Sequence, residues 1–228
     1  NIPKGNYDYI DANTHLELES LPTGGWGYDH FPLSAAYVRT LGNTEFLGMT
    51  GKFHHSWGEF GGFKCKEALR YEVASMAMQG AGCSIGDHMP PDGEMEMQTY
   101  ENIGYAMRYF EKIEPYCFEG ESIANLGLYV SKGYASDLGV ANTLAEYQID
   151  YDVVYNDNFD RFDTVILSDA VELSEESTKK LQAYVANGGK VVAFGNSLVQ
   201  NGKLILDVGA EYVSPAPHDI DYLLLEPD

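Results

Sequence analysis

The sequence predicts an α/β fold in two parts. Short apolar runs alternate with helical patterns along the whole chain. In the second half those runs are continuous rather than alternating, which marks parallel strands covered on both faces. In the first half, long loops rich in glycine and aromatic residues always fall after a strand and before a helix.

The first strand signal ends in His15-Leu-Glu-Leu-Glu19, with Leu16 and Leu18 on one side and Glu17 and Glu19 on the other. The loop from Ser20 to Pro32 follows, then a helix over about Leu33–Leu41 stopped by Gly42. A second strand covers Glu45–Thr50. A second loop leads to a helix over Lys64–Gln79, stopped by Gly80. A third strand at Gly82–Asp87 and a loop with His88, Pro90, Pro91 and Asp92 precede a long helix, Met97 to Glu114, closed at Pro115. Strand, loop, helix thus repeats three times, with the chemistry-bearing residues after each strand. A β/α barrel collects its site there, and so does a doubly wound sheet; the length of these loops favours the barrel.

After residue 118 the texture changes. Strands are expected at Ser122–Val130, Asp150–Tyr155, Thr164–Leu167 and Lys190–Phe194, with a fifth at Leu204–Leu206. Helices are expected at Asp137–Gln148 and from Ser174 to Asn187, the latter capped by Ser174 with Glu175 and Glu176 in its first turn.

A formal charge of −21 argues against nucleic acid and against an anionic membrane surface as partners. No apolar run approaches the roughly 18 residues that a membrane-spanning helix needs. The three cysteines, Cys65, Cys83 and Cys117, show neither a disulfide framework nor zinc-ligand spacing. Buried, inert thiols are expected, which favours a reducing, cytoplasmic setting. Neither a metal nor a cofactor is indicated: no third ligand supports the histidines and no GxGxxG follows a strand.

The stretch Thr50 to Gly62 holds Lys52, His54, His55, Trp57, Glu59 and four glycines. An indole packs on the apolar face of a pyranose, polar groups bond its hydroxyls, and glycines let backbone come close. The same composition also fits a surface loop with two aromatics tucked beneath it. Trp57 and Trp26 are the stacking candidates; His30, His54, His55, Lys52 and Glu59 are the hydroxyl-binding candidates. For Trp57 the alternative is core packing. For the adjacent histidines the expectation is one inward and one solvated. Sugar hydrolysis ordinarily uses two carboxylates. Glu19 ends a strand just before the aromatic loop and is the first catalytic candidate; Asp87 is the second. The alternatives are that Glu19 orients a hydroxyl or a loop amide and that Asp87 caps its own loop.

Three long motifs, 18–32 (LESLPTGGWGYDHFP), 48–62 (GMTGKFHHSWGEFGG) and 80–87 (GAGCSIGD), resemble the barrel end of a group of hypothetical glycosyl hydrolases. That group includes the family 151 α-L-fucosidases. More distantly the chain is similar to family 42 β-galactosidases, in which a barrel is followed by a trimerisation domain. The resemblance implies that residues 1–118 are the last β/α units of a TIM-type barrel. It implies that 119–228 form a flavodoxin-like, glutamine-amidotransferase-like domain, for which 172–177 (ELSEES) and 184–192 (YVANGGKVV) carry the likeness. The implied partners are a carbohydrate substrate and further copies of the chain, as a trimer.

Two departures qualify this. Family 42 enzymes carry a nucleophilic glutamate at the end of the seventh barrel strand, where this sequence has Met49 or Thr50; the resemblance therefore implies a nucleophile upstream of these residues. In the second half no cysteine lies beyond Cys117, so amidotransferase thiol chemistry is excluded there, and Gly195-Asn-Ser197 reads as a turn rather than a nucleophile elbow. The functional expectation is a retaining glycoside hydrolase, with a non-catalytic sugar-contacting and assembly module as the alternative. A hydrolase of another substrate on an open sheet has less support.

Overall fold

The computed structural model describes residues 13–42, 45–118, 120–130, 134–169, 171–215, 217, 218 and 220. Among the described residues the fold is α/β, with two parallel sheets and five α-helices. Strands β1 (Leu16–Glu19), β2 (Phe46–Gly51) and β3 (Gly82–Gly86) form a three-stranded parallel sheet in the order β1-β2-β3. Glu19 pairs with Met49, and Gly51 with Gly86. All three strands therefore deliver their carboxyl ends to one edge of the sheet.

Helices α1 (His30–Arg39), α2 (Lys66–Met78) and α3 (Met97–Cys117) follow these strands. Alternation in β1 buries Leu16 and Leu18 against Phe31, Ala35 and Val38 of α1. Gly48 of β2 lets the helices close in: a Cβ there would meet Met76 at 2.5 Å and Phe31 at 2.8 Å. On α2 the stripe Leu69, Val73, Met76 and Ala77 is buried; Leu69, Val73 and Ala77 pack on Ala106 and Phe110 of α3.

The helix ends depart from expectation at two prolines. α1 starts at His30, so Pro32 lies in its first turn, where a missing N–H costs nothing. α3 runs through Pro115 to Cys117, and the Phe118 N–H closes it on the Glu114 carbonyl at 3.3 Å. A proline that late removes one bond from the final turn.

The second sheet has β4 (Leu126–Tyr129), β5 (Asp152–Val153), β6 (Thr164–Leu167) and β7 (Lys190–Ala193), parallel, in the order β5-β4-β6-β7. Helices α4 (Tyr134–Glu146) and α5 (Glu175–Ala186) accompany it. Ser174 caps α5 as expected, its Oγ accepting the Ser177 N–H at 3.0 Å. Coverage of both faces holds for Leu128, Val165 and Leu167, which are fully buried, but not at β7, where Val192 is 44% exposed. The fifth strand is a correction. Leu204 belongs to β9 (Lys203–Leu204), which pairs antiparallel with β8 (Val199–Gln200), outside the parallel sheet. Asn201 and Gly202 both take positive φ between them, the two-residue hairpin turn that an Asn-Gly pair favours.

α1 joins the two sheets. Its Leu33 packs in a cluster with Leu128, Ala141, Leu144 and Ile166, while Phe31, Ala35 and Val38 belong to the first core, which also takes in Val153 of β5. Beside this seam Asp152, 2% exposed, lies between Arg39 and Arg161, each 2.6 Å away. Burial pushes its carboxyl up, but hydrogen bonds from Ser122 and the two guanidiniums outweigh it and hold the group below its ordinary range.

Candidate active site

At the carboxyl edge of the first sheet, two glycines in register are roofed by aromatic rings. A Cβ on Gly51 would fall 2.2 Å from Phe53 Cζ, and one on Gly86 would fall 2.2 Å from Trp57 Cη2. The rings of Phe53 and Trp57 meet edge to face at 4.6 Å. Phe53 is buried; Trp57 and Phe60 are each 45% exposed and form the outer surface. The Trp57 indole Nε1 donates to Glu19 Oε1 at 2.8 Å, which fixes the plane of that carboxylate. Three strand ends thus meet around Trp57: Glu19 from β1, Phe53 after β2 and Gly86 of β3.

Lys52 is 2% exposed, and its ammonium donates to the Phe60 carbonyl at 3.2 Å and to Glu96 at 3.0 Å, with Asp87 Oδ1 3.9 Å away. Asp87 is held at both oxygens: Oδ1 accepts the His88 N–H at 2.7 Å and Oδ2 accepts the Tyr100 hydroxyl at 2.9 Å. The bond to Asp87, with burial and the carboxylate charge adding, raises the Tyr100 phenol. Glu59 Oε2 accepts the His55 N–H at 2.7 Å, and that bond is the main cause holding its carboxyl below the ordinary value. Glu59 therefore serves its own loop.

His54 and His55 are both exposed, their rings edge to face at 4.5 Å. The expected inward–outward split fails because the chain bends over 52–55 instead of extending; Phe53 is the residue that turns inward. On the first loop His30 Nδ1 lies 3.1 Å from Ser20 Oγ and the Trp26 ring meets His30 edge to face at 4.9 Å. The two loops touch where Gly24 faces the His55 carbonyl; a Cβ on Gly24 would fall 2.2 Å from that oxygen.

Sequence reasoning left two groups out of the candidate set. His88 packs between Phe53 and Phe60, both at 5.0 Å, with Trp57 at 5.7 Å. Its Nδ1 accepts the Gly58 N–H at 3.5 Å, which places the proton on Nε2, and Nε2 is buried without a hydrogen-bond partner. The second group is Lys64, Glu72 and Thr50, all buried. Its sequence signal is a glutamate on the apolar stripe of α2, between Leu69 and Met76. Among the described residues no group of three or more His, Cys, Asp or Glu could hold a metal ion. The cysteines correct one expectation. Cys65 is exposed, whereas the Cys83 thiol is pushed up to about 12 by burial and by the Glu72 charge. No helix among the described residues is long and apolar enough to cross a membrane.

No family model and no curated protein matches the chain. Solved structures do. α-L-Fucosidase isoenzyme 2 from Paenibacillus thiaminolyticus is 41% identical, with a TM-score of 0.85 over 90% of this chain and 33% of that one. Gan42B, a GH42 β-galactosidase from G. stearothermophilus, is 13% identical, with a TM-score of 0.68 over 87% of this chain and 36% of that one; a catalytic mutant of it gives 0.66. The β-galactosidase likeness shows the fold alone. The expected resemblance to glycoside hydrolases is therefore met, and the chain spans about a third of the length of each structure it matches.

Proposed function

We propose that the chain carries the last β/α units of a TIM-type glycosidase barrel in residues 1–118 and a flavodoxin-like, amidotransferase-like assembly domain in 119–228. The whole protein is a retaining glycoside hydrolase acting on α-L-fucosides and assembling as a trimer. The observation that carries this is the convergence of Glu19, Trp57, Lys52 and Asp87 on one edge of the first sheet, in a chain 41% identical to an α-L-fucosidase. Glu19 is the catalytic carboxylate, with Asp87 as the second candidate. Trp57 and Trp26 stack on the sugar, and His30, His54 and His55 line the hydroxyl-binding rim; Lys52 and Glu59, the other two hydroxyl-binding candidates, brace the loop beneath it. The unpaired thiols favour a cytoplasmic setting.

A second reading has one observation behind it. Among the carboxylates at this edge, Asp87 is held at both oxygens and Glu59 serves its own loop, which leaves Glu19, oriented by the Trp57 indole, as the single acting candidate. A glycosidase ordinarily needs two acting carboxylates. A non-catalytic sugar-contacting and assembly module needs none.

The test is hydrolysis of nitrophenyl α-L-fucoside and nitrophenyl β-galactoside by the protein that carries this chain. Release from the fucoside is expected. Release from the galactoside alone overturns the sugar assignment. Cleavage of neither, with sugar binding retained, moves the reading to the assembly module.

A further inference from the structure

Beneath the site lies a buried charge pair. Lys64 is 1% exposed and Glu72 4%, with Nζ 2.6 Å from Oε2. Thr50, fully buried at the end of β2, completes a ring: Lys64 Nζ donates to Thr50 Oγ1 at 2.9 Å, and Thr50 Oγ1 donates to Glu72 Oε2 at 2.7 Å. The other carboxylate oxygen accepts the Tyr28 hydroxyl at 3.4 Å. Tyr28 belongs to the loop of Trp26 and His30. Lys64 ends the loop of His54, His55 and Trp57, and its main-chain N–H bonds the Lys52 carbonyl at 2.8 Å. One carboxylate on α2 therefore ties together the two loops that would hold the sugar.

Two apolar side chains of similar volume would hold α2 against the end of the Trp57 loop about as well as a buried ion pair does. They would not supply directional bonds to Thr50 and Tyr28. We propose that Lys64 and Glu72 are positioning residues, which set the placement of loop 20–29 against loop 51–64 and so the shape of the sugar site between them. This rests on the sugar-site reading above. Both side chains are buried, so neither meets the sugar itself.

Burial pulls the Lys64 ammonium below its ordinary value while Glu72 opposes the shift. A single charge removal would strand the other charge and confound placement with folding. The informative variant is the double one, Lys64→Met with Glu72→Leu. It is titrated with L-fucose and with D-galactose, read by the fluorescence of Trp26 and Trp57, beside a melting curve. A melting point near that of the unaltered protein is expected, with sugar affinity weakened about tenfold, the order of a lost hydrogen bond or two. Lys64→Met with Glu72→Gln, whose amide oxygen can accept from Tyr28 while its amide NH2 donates to Thr50 Oγ1, is expected to recover most of that loss. Tyr28→Phe removes one tie from a 38% exposed residue and is expected to weaken affinity several-fold with melting unchanged. It carries the test if the double variant does not fold. Unaltered affinity in the folded double variant, or in Tyr28→Phe, overturns the positioning role alone. An unaltered protein that responds to neither sugar removes the sugar site, and the positioning role with it.

Discussion

The two sheets end differently although both are parallel and helix-flanked. In the first, the segment between β2 and α2 runs from 52 to 65 and stacks Phe53, Trp57 and Phe60 with His88 over the strand ends. In the second, the segment between β6 and α5 runs only from 168 to 174. There Asp169 turns to the neighbouring strand end, where Oδ1 accepts the Asn196 N–H at 3.1 Å, and Gly195, at positive φ, leaves it room. Ser197 donates to the Phe194 carbonyl, so the turn is closed, as its sequence suggested. Parallel topology supplies an edge where strand ends gather. Loop length decides whether that edge is presented or sealed.

The sharpest break of this contrast is Glu19→Gln set beside Asp169→Asn. The first is expected to lower kcat on the cleaved nitrophenyl glycoside by roughly 10²–10⁴-fold, the scale of a lost acid–base group. The second is expected to leave kcat unchanged. Equal effects would mean that the two edges are not functionally distinct.

Next in size is Asp152→Ala, which leaves two guanidiniums facing each other at the seam and is expected to cost roughly 3 kcal/mol in a urea titration. The sign with pH follows from the lowered carboxyl. Its folded value lies below the ordinary 3.8, so its contribution is complete above about that pH and is lost as pH falls through the folded value. The variant's stability should therefore vary less with pH on the acid side than that of the unaltered protein. A variant with the same acid limb would remove Asp152 from that account.

Gly86→Ala is smaller and tests the roof directly. The added methyl meets the Trp57 ring and would push the indole off Glu19. About tenfold weaker binding of L-fucose is expected with little change in melting; full affinity would mean that the Trp57–Glu19 bond is not part of the site. The smallest is Ser174→Ala in the sealed half, which removes the α5 cap for about 1 kcal/mol and should leave sugar binding untouched.

Much of the fold is legible in the sequence because its periodicities are unmixed. β1 alternates, β6 is continuous, and Thr164–Leu167 falls where the apolar run places it. The strand-end candidates Glu19, Lys52, Trp57 and Asp87 were legible as residues following strands. What sequence could not supply is pairing in space. Nothing in the chain order brings Tyr28 to Glu72, or Trp57 to Glu19. His88 was placed at a strand end, but its burial among three rings depends on how the loop folds back. The apolar run after Asn201-Gly202 has the pattern of one more parallel strand, but the dipeptide is a turn signal and the run folds back as a hairpin. α1 begins before the expected Leu33 because Pro32 fits the first turn of a helix, where its missing N–H has no bond to make.

α1 gives one face to each sheet, through Phe31 and Val38 on one side and Leu33 on the other. The two halves are therefore coupled in their breathing. An opening that frees α1 exposes both cores at once, so the slowest-exchanging amides of β2 and of β6 belong to a single protected set. A single melting transition is therefore expected for the two sheets together.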